Sequence, residues 1–196
     1  MCVPTGKLET AADLFRAESD RFEPFRPSAL TRVRGMEHLY PRFKLVGLRC
    51  FFILMTSQAC HLPCEPGNIE YSQTGLPYPK LPVFAQSLLD TWNLVDLDDL
   101  VDGMNLTLEW GEANLHLDGT VDGDWARWKT DALHHGKALP DDYPLWGTKK
   151  RRDVWEETVS AHAKKNRQRH KYLDIYETRF WRRGQKDPRL RKREFC

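Results

Sequence analysis

Residues 147–184 read GTKKRRDVWEETVSAHAKKNRQRHKYLDIYETRFWRRG, and this run decides how the rest of the chain is read. No proline interrupts it, and its glycines stand at the two ends, Gly147 and Gly184. Thr148 is placed to cap a helix, Gly184 to close it, and Pro188 lies just beyond. At the helical rise per residue, such a segment spans roughly 50 Å. Trp155, Val159, His162, Asn166, Arg169, Leu173, Tyr176 and Phe180 recur at alternating spacings of four and three, so they share one face. That face is aromatic at its ends and polar in its middle. It makes a poor core stripe and suits a helix that leaves the body and lies along a partner.

The charge is equally uneven. Residues 149–196 hold 17 Lys/Arg and 7 Asp/Glu, a net of +10, while the other 148 residues hold 13 basic and 21 acidic residues, a net of −8. The formal total of +2 conceals this asymmetry. A solvated helix laced with ion pairs is the plain reading of the arm. The sharper one is a basic arm that grips something acidic: RNA, an anionic lipid surface or an acidic subunit.

At 196 residues the chain fits one domain with extensions. A hydrophobic content of 40% beside 30% charged residues allows a modest core only. Seven tryptophans, scattered among charges, mark contact surfaces. The N-terminal MCVPTGKLETAADLF has no apolar h-region, so it is not a signal peptide, and Glu9, Asp13, Glu18 and Asp20 make it a poor transit peptide.

The five cysteines are Cys2, Cys50, Cys60, Cys64 and Cys196, an odd number at irregular spacing that argues against a secreted disulfide scaffold. The C-x9-C spacing of Cys50 and Cys60 resembles half of the twin-cysteine helical hairpin of mitochondrial intermembrane-space proteins; the second half is missing. With His61, the spacing C-x9-C-H-x2-C fits no common zinc module, and thiols are the expected state.

Taken in order, Thr10 and Asp13 form a capping-box-like pair before a helix from about Ala11 to Phe22, which Pro24 and Pro27 stop. Ser28 caps a second helix from Ala29 to Tyr40. The most apolar stretch, Leu45 to Pro63, barely reaches the length of a membrane span and carries Arg49, so a buried core helix or strand is the better reading. Its basic flank keeps membrane contact open. Residues 63–82, with five prolines and two glycines, read as an extended linker. Val83 to Asp102 reads as one or two short helices.

No Lys or Arg occurs between Lys80 and Arg127, while ten acids do. Calcium-loop alignments on Gly103 or Gly123 each fail, at Leu100 and at Lys129 respectively, where ligands are required. Leu106, Leu108 and Trp110, then Leu115 and Leu117, alternate with polar residues and read as a β-meander over residues 105–122, turned at Asp118-Gly119. A helix from Asp124 to His135 covers it through Trp125 and Trp128. Residues 137–147 form a second proline-rich joint.

No G-x-G-x-x-G, P-loop, G-x-S-x-G or H-E-x-x-H motif is present. His134-His135 near a helix end is favoured by the helix dipole without a catalytic role. No catalytic, cofactor or metal residue is assigned.

The expectation is a mainly α chain with a small β-meander (α+β), proline-rich extended segments and a long basic C-terminal helix. Its segments are residues 1–62, 63–82, 83–136, 137–148 and 149–196. The expected role is a non-catalytic accessory subunit of a large assembly, a mitochondrial membrane complex of the respiratory-chain or ATP-synthase kind. Partner contact falls to Trp155, Lys164, Lys165, Arg167, Arg169, Tyr172, Arg179, Trp181, Arg182 and Arg183. The partners are other subunits, anionic lipid such as cardiolipin, or RNA. The alternative is a ribosomal or other RNA-bound protein, in which Trp155, Tyr172 and Trp181 stack on bases.

Overall fold

The structure, a computed structural model, describes residues 1–25, 40–48, 51–72, 75–133 and 148–168. It divides into two compact units, the first holding the described residues of 1–80 and 127–133, the second residues 81–126 and 148–168. The boundary falls inside a helix, between Ala126 and Arg127.

The first unit is a helix laid on a small antiparallel sheet. Helix α1, Leu8–Ala17, places Leu8, Ala11, Ala12 and Phe15 on one stripe by the helical repeat. Strands β2 (Phe22–Pro24), β3 (Arg42–Leu45) and β4 (Phe51–Ile53) form a sheet in that order. The register pairs Phe22 with Leu45 and Phe43 with Phe52. Phe15 is the centre of the packing. Its ring lies 4.9 Å from Phe22, 5.3 Å from Phe43 and 5.1 Å from Phe52, and the Phe22 and Phe52 contacts are edge-on. Each such pair contributes about 0.5–1.5 kcal/mol beyond the area it buries. Ala12, Phe43 and Leu54 complete the buried cluster. At the end of β3 the Leu48 amide donates to the Leu45 carbonyl, and Gly47 takes the left-handed conformation (φ +81°) that this turn demands.

A second pairing joins β1 (Cys2–Val3) in parallel to β5 (Met55–Thr56). From β5 the chain enters α2, Ser57–Cys60, a single turn capped by the Thr56 side chain, which accepts from the Ala59 amide. After a 3-10 turn at Pro66–Asn68, β6 (Ile69–Tyr71) and β7 (Pro77–Pro79) form a two-stranded hairpin. Prolines are tolerated in β7 because, among the described residues, it pairs on one side only.

The second unit is helical: α3 (Leu81–Asp90), α4 (Leu94–Met104), α5 (Leu108–Asn114) and α7 (Arg151–Gln168). Helix α6, Gly123–Leu133, contains the boundary between the units and starts where Asp122 accepts from the Trp125 amide. Asn93 caps α4 by accepting from the Asp96 amide, and Asn105 ends it in the left-handed conformation (φ 51°). The core joins Ala85, Leu88 and Leu89 of α3, Leu97, Leu100 and Val101 of α4, and Val154, Trp155 and Val159 of α7. Each fully buried aliphatic side chain contributes about 1.5–3 kcal/mol against exposure.

The chain is thus mixed α+β, with several departures from expectation. The β-meander of residues 105–122 is absent. Thr107 caps a helix there, accepting from the Trp110 amide, so Leu108 and Trp110 lie on α5. Helix α1 starts at Leu8 rather than Ala11, and Phe22 belongs to β2. In keeping with the strand form of its reading, the apolar stretch Leu45 to Pro63 holds strands β4 and β5, followed by α2, and among the described residues no helix is long and apolar enough to cross a membrane. The proline-rich linker holds a hairpin. Helix α7 begins at Arg151, because Lys150 first bridges to Thr120 and the Lys149 carbonyl accepts from the Val121 amide. The expected helix at 29–40 and the arm's continuation past Gln168 lie outside the described residues, apart from Tyr40.

Candidate functional site: the root of the basic arm

The basic segment starts against the acidic one. Gly119 takes a left-handed φ of +81°, and its carbonyl accepts from the Arg151 amide. This turn and the Thr120–Lys150 bridge bring the first basic residues over the acids of α3, α5 and the loop after α5. Arg151 Nε donates to Asp90 Oδ1 at 2.5 Å, and its Nη1 donates to the Asp118 carbonyl at 2.9 Å. Asp90 is held from a second side by Gln86 Nε2 at 2.9 Å, while its own carbonyl accepts from the Asp122 amide at 2.7 Å. The pair is largely shielded, with side chains 24% and 10% exposed. Arg152 pairs with Glu112 and reaches Asp118 at 3.7 Å, on open surface. The Glu112 hydrogen bond raises the Arg152 pKa above its ordinary value. Lys149 Nζ stands 6.0 Å from the Trp92 ring, a cation–π distance.

Directly below this seam the helix turns apolar. Val154, Trp155, Thr158 and Val159 are buried, and Thr158 Oγ1 donates to the Val154 carbonyl at 2.8 Å. The Trp155 indole lies 5.9 Å from the Trp110 ring and against the backbone of Gly111 in α5. The assignment of Trp155 to partner contact is therefore corrected. It is a core residue, because the first turns of α7 are covered by the chain's own helices.

Of the other residues assigned to partner contact, Lys164, Lys165 and Arg167 fall on the α7 backbone beyond this buried part. Arg169, Tyr172, Arg179, Trp181, Arg182 and Arg183 lie outside the described residues, as do His134 and His135. The acids that receive the arm's root, Asp90, Glu112 and Asp118, were seen in sequence only as part of an acidic run. The signal available was the charge complement between residues 90–118 and 149–152, without a means to choose partners.

Among the described residues, no group of three or more His, Cys, Asp or Glu side chains is arranged to hold a metal ion. The resemblance to a twin-cysteine helical hairpin is also corrected. Strands β4 and β5 lie between the two cysteines and only the single turn α2 precedes Cys60, so no continuous helix joins Cys50 to Cys60. No protein-family model, curated protein or solved structure matches this chain.

Proposed function

We propose that the protein is a non-catalytic accessory subunit of a larger assembly, attached to it by the basic C-terminal arm. The carrying observation is a change of role along that arm. Lys149, Arg151 and Arg152 are engaged by the chain's own Trp92, Asp90, Glu112 and Asp118, and Val154, Trp155 and Val159 by its own core. From His162 onward the sequence carries 13 Lys/Arg against 4 Asp/Glu. An anchored root lowers the ordering cost of binding, and the excess charge beyond it steers the segment to an acidic surface.

The proposed partner is the acidic face of another subunit, with an anionic lipid headgroup such as cardiolipin as a second ligand. The proposed setting is a mitochondrial membrane complex. The described residues of Leu45 to Pro63 form strands and a one-turn helix, so the proposed setting leans on the arm's excess of positive charge.

The test is the full chain carrying Lys164→Glu, Lys165→Glu, Arg167→Glu and Arg169→Glu. The expected variant keeps the thermal unfolding midpoint of the parent and no longer co-purifies with the assembly. Undiminished co-purification of a folded variant overturns the proposal.

A further inference from the structure

Three thiols that are far apart in sequence meet in the first unit. The parallel register sets Cys2 opposite Met55 and Val3 opposite Thr56, and the Met55 amide donates to the Met1 carbonyl at 2.9 Å. Thr5 then fastens β1 to α2. Its hydroxyl lies 2.8 Å from Ser57 Oγ, its amide donates to that oxygen at 3.1 Å, and its hydroxyl oxygen accepts from the Gln58 amide at 3.2 Å. Because α2 is one turn long, Cys60 is brought back beside β1. His61, in the left-handed conformation (φ 50°), then reverses the chain, with the Leu62 amide closing onto the Ser57 carbonyl at 3.0 Å. This reversal carries Cys64 Sγ to 3.6 Å from Cys2 Sγ. All three residues are part-buried and present as thiols.

We propose that Cys2 and Cys64 form a dithiol–disulfide exchange site for small disulfides of the glutathione class, with a Cys2–Cys64 bridge as its oxidised state. Two sulfurs at 3.6 Å need only a short approach to reach bonding distance, about 2.0 Å. The three thiols are also chemically unlike. The hydrogen bond from Cys2 pulls the Cys60 thiol below its ordinary range and raises that of Cys2, while burial pushes Cys64 up to about 11. The thiolate is the nucleophile in such an exchange.

In the first step one thiol of the pair, its proton lost to solvent, attacks one sulfur of oxidised glutathione. A protein–glutathione disulfide forms, the glutathione S–S bond breaks, and one glutathione thiolate leaves. The other thiol of the pair loses its proton to solvent and attacks the protein sulfur of that mixed disulfide, forming the Cys2–Cys64 bond and releasing the second glutathione thiolate. In balance, two protein thiols are oxidised and one glutathione disulfide is reduced to two thiols.

The experiment uses the full chain with Cys50→Ser and Cys196→Ser, incubated with oxidised glutathione, alkylated and digested with trypsin. Trypsin releases Cys2 on residues 1–7 and both Cys60 and Cys64 on residues 50–80. The expected product is a covalent pair of these peptides, two hydrogen masses lighter than the separate peptides, with fragmentation placing the bridge between Cys2 and Cys64. Adding Cys60→Ser should leave the linked pair and its rate of formation unchanged. Glutathione adducts without a linked pair, three alkylated thiols, or a pair linked through Cys60 instead of Cys64 each overturn the proposal.

Discussion

Gly111 meets Trp155 with no room for a side chain between them. A Cβ at Gly111 would stand 2.8 Å from Trp155 Cδ1 and nearer still to Nε1 and Cε2. The approach lets α5 lie close to α7 and closes the core over the indole, whose buried N–H has no hydrogen-bond partner among the described residues. Gly111→Ala forces the indole or helix α5 to shift and is expected to cost about 1–3 kcal/mol, the range for overpacking a core. Urea unfolding measures it. In a Trp155→Phe background the same substitution should cost less, because the smaller ring leaves room for the methyl group.

Arg151 and Asp90 give a second contrast. Removing one partner leaves the other with Gln86 (Asp90) or the Asp118 carbonyl (Arg151) but without its ion pair, so Asp90→Ala or Arg151→Ala should destabilise the second unit by about 1–3 kcal/mol. Arg152→Ala removes contacts that water already screens, to Glu112 and Asp118, and its unfolding midpoint should stay with the parent's. Paired urea melts decide whether the seam is a structural lock or surface decoration.

Where the arm is cut should decide whether the protein folds. Truncation before Lys149 removes Val154, Trp155 and Val159 from the core and should abolish cooperative unfolding of the second unit. Truncation after Ala161 spares them, and its unfolding midpoint should lie within a few degrees of the parent's. Circular dichroism melts of the two truncations check this.

Alkaline pH should loosen the first unit. Burial raises the Cys64 thiol from 9.0 to about 11 and raises the Tyr40 phenol above its ordinary 10.0. Both groups hold their protons more tightly folded than unfolded. Their stability contribution is therefore full below about pH 9 and is lost as pH rises through about 11. Urea midpoints of the reduced protein should fall across that interval, and Cys64→Ser should flatten the fall.

Helices α3 and α4 were legible from their apolar stripe, since Leu88, Leu89, Leu97, Leu100 and Val101 recur at helical spacing. The break between them was not fixed by that stripe; the structure sets it at Asn93, which caps α4. Helix α5 was misread because Leu106, Leu108 and Trp110 alternate over five residues, as a strand would. The decisive feature is the Thr107 hydroxyl, which accepts from the Trp110 amide and starts a helix. Trp155 was placed on the right face of α7 and given the wrong neighbour, since only the tertiary fold reveals Gly111 opposite it. The thiol cluster was not legible: Cys2 and Cys64 are 62 residues apart. A parallel two-residue pairing and a one-turn helix join them, and neither leaves a periodic trace.

The central claim is that the arm holds the protein in a larger particle through acidic protein or lipid surfaces. Sedimentation of the native protein from a mild detergent extract, with and without ribonuclease, tests it most directly. A heavy particle that ribonuclease leaves intact, and that the Lys164, Lys165, Arg167 and Arg169 charge-reversed chain fails to enter, is the expected result. A particle that collapses with ribonuclease would make the arm an RNA clamp, and a protein that sediments alone would leave it without the proposed role.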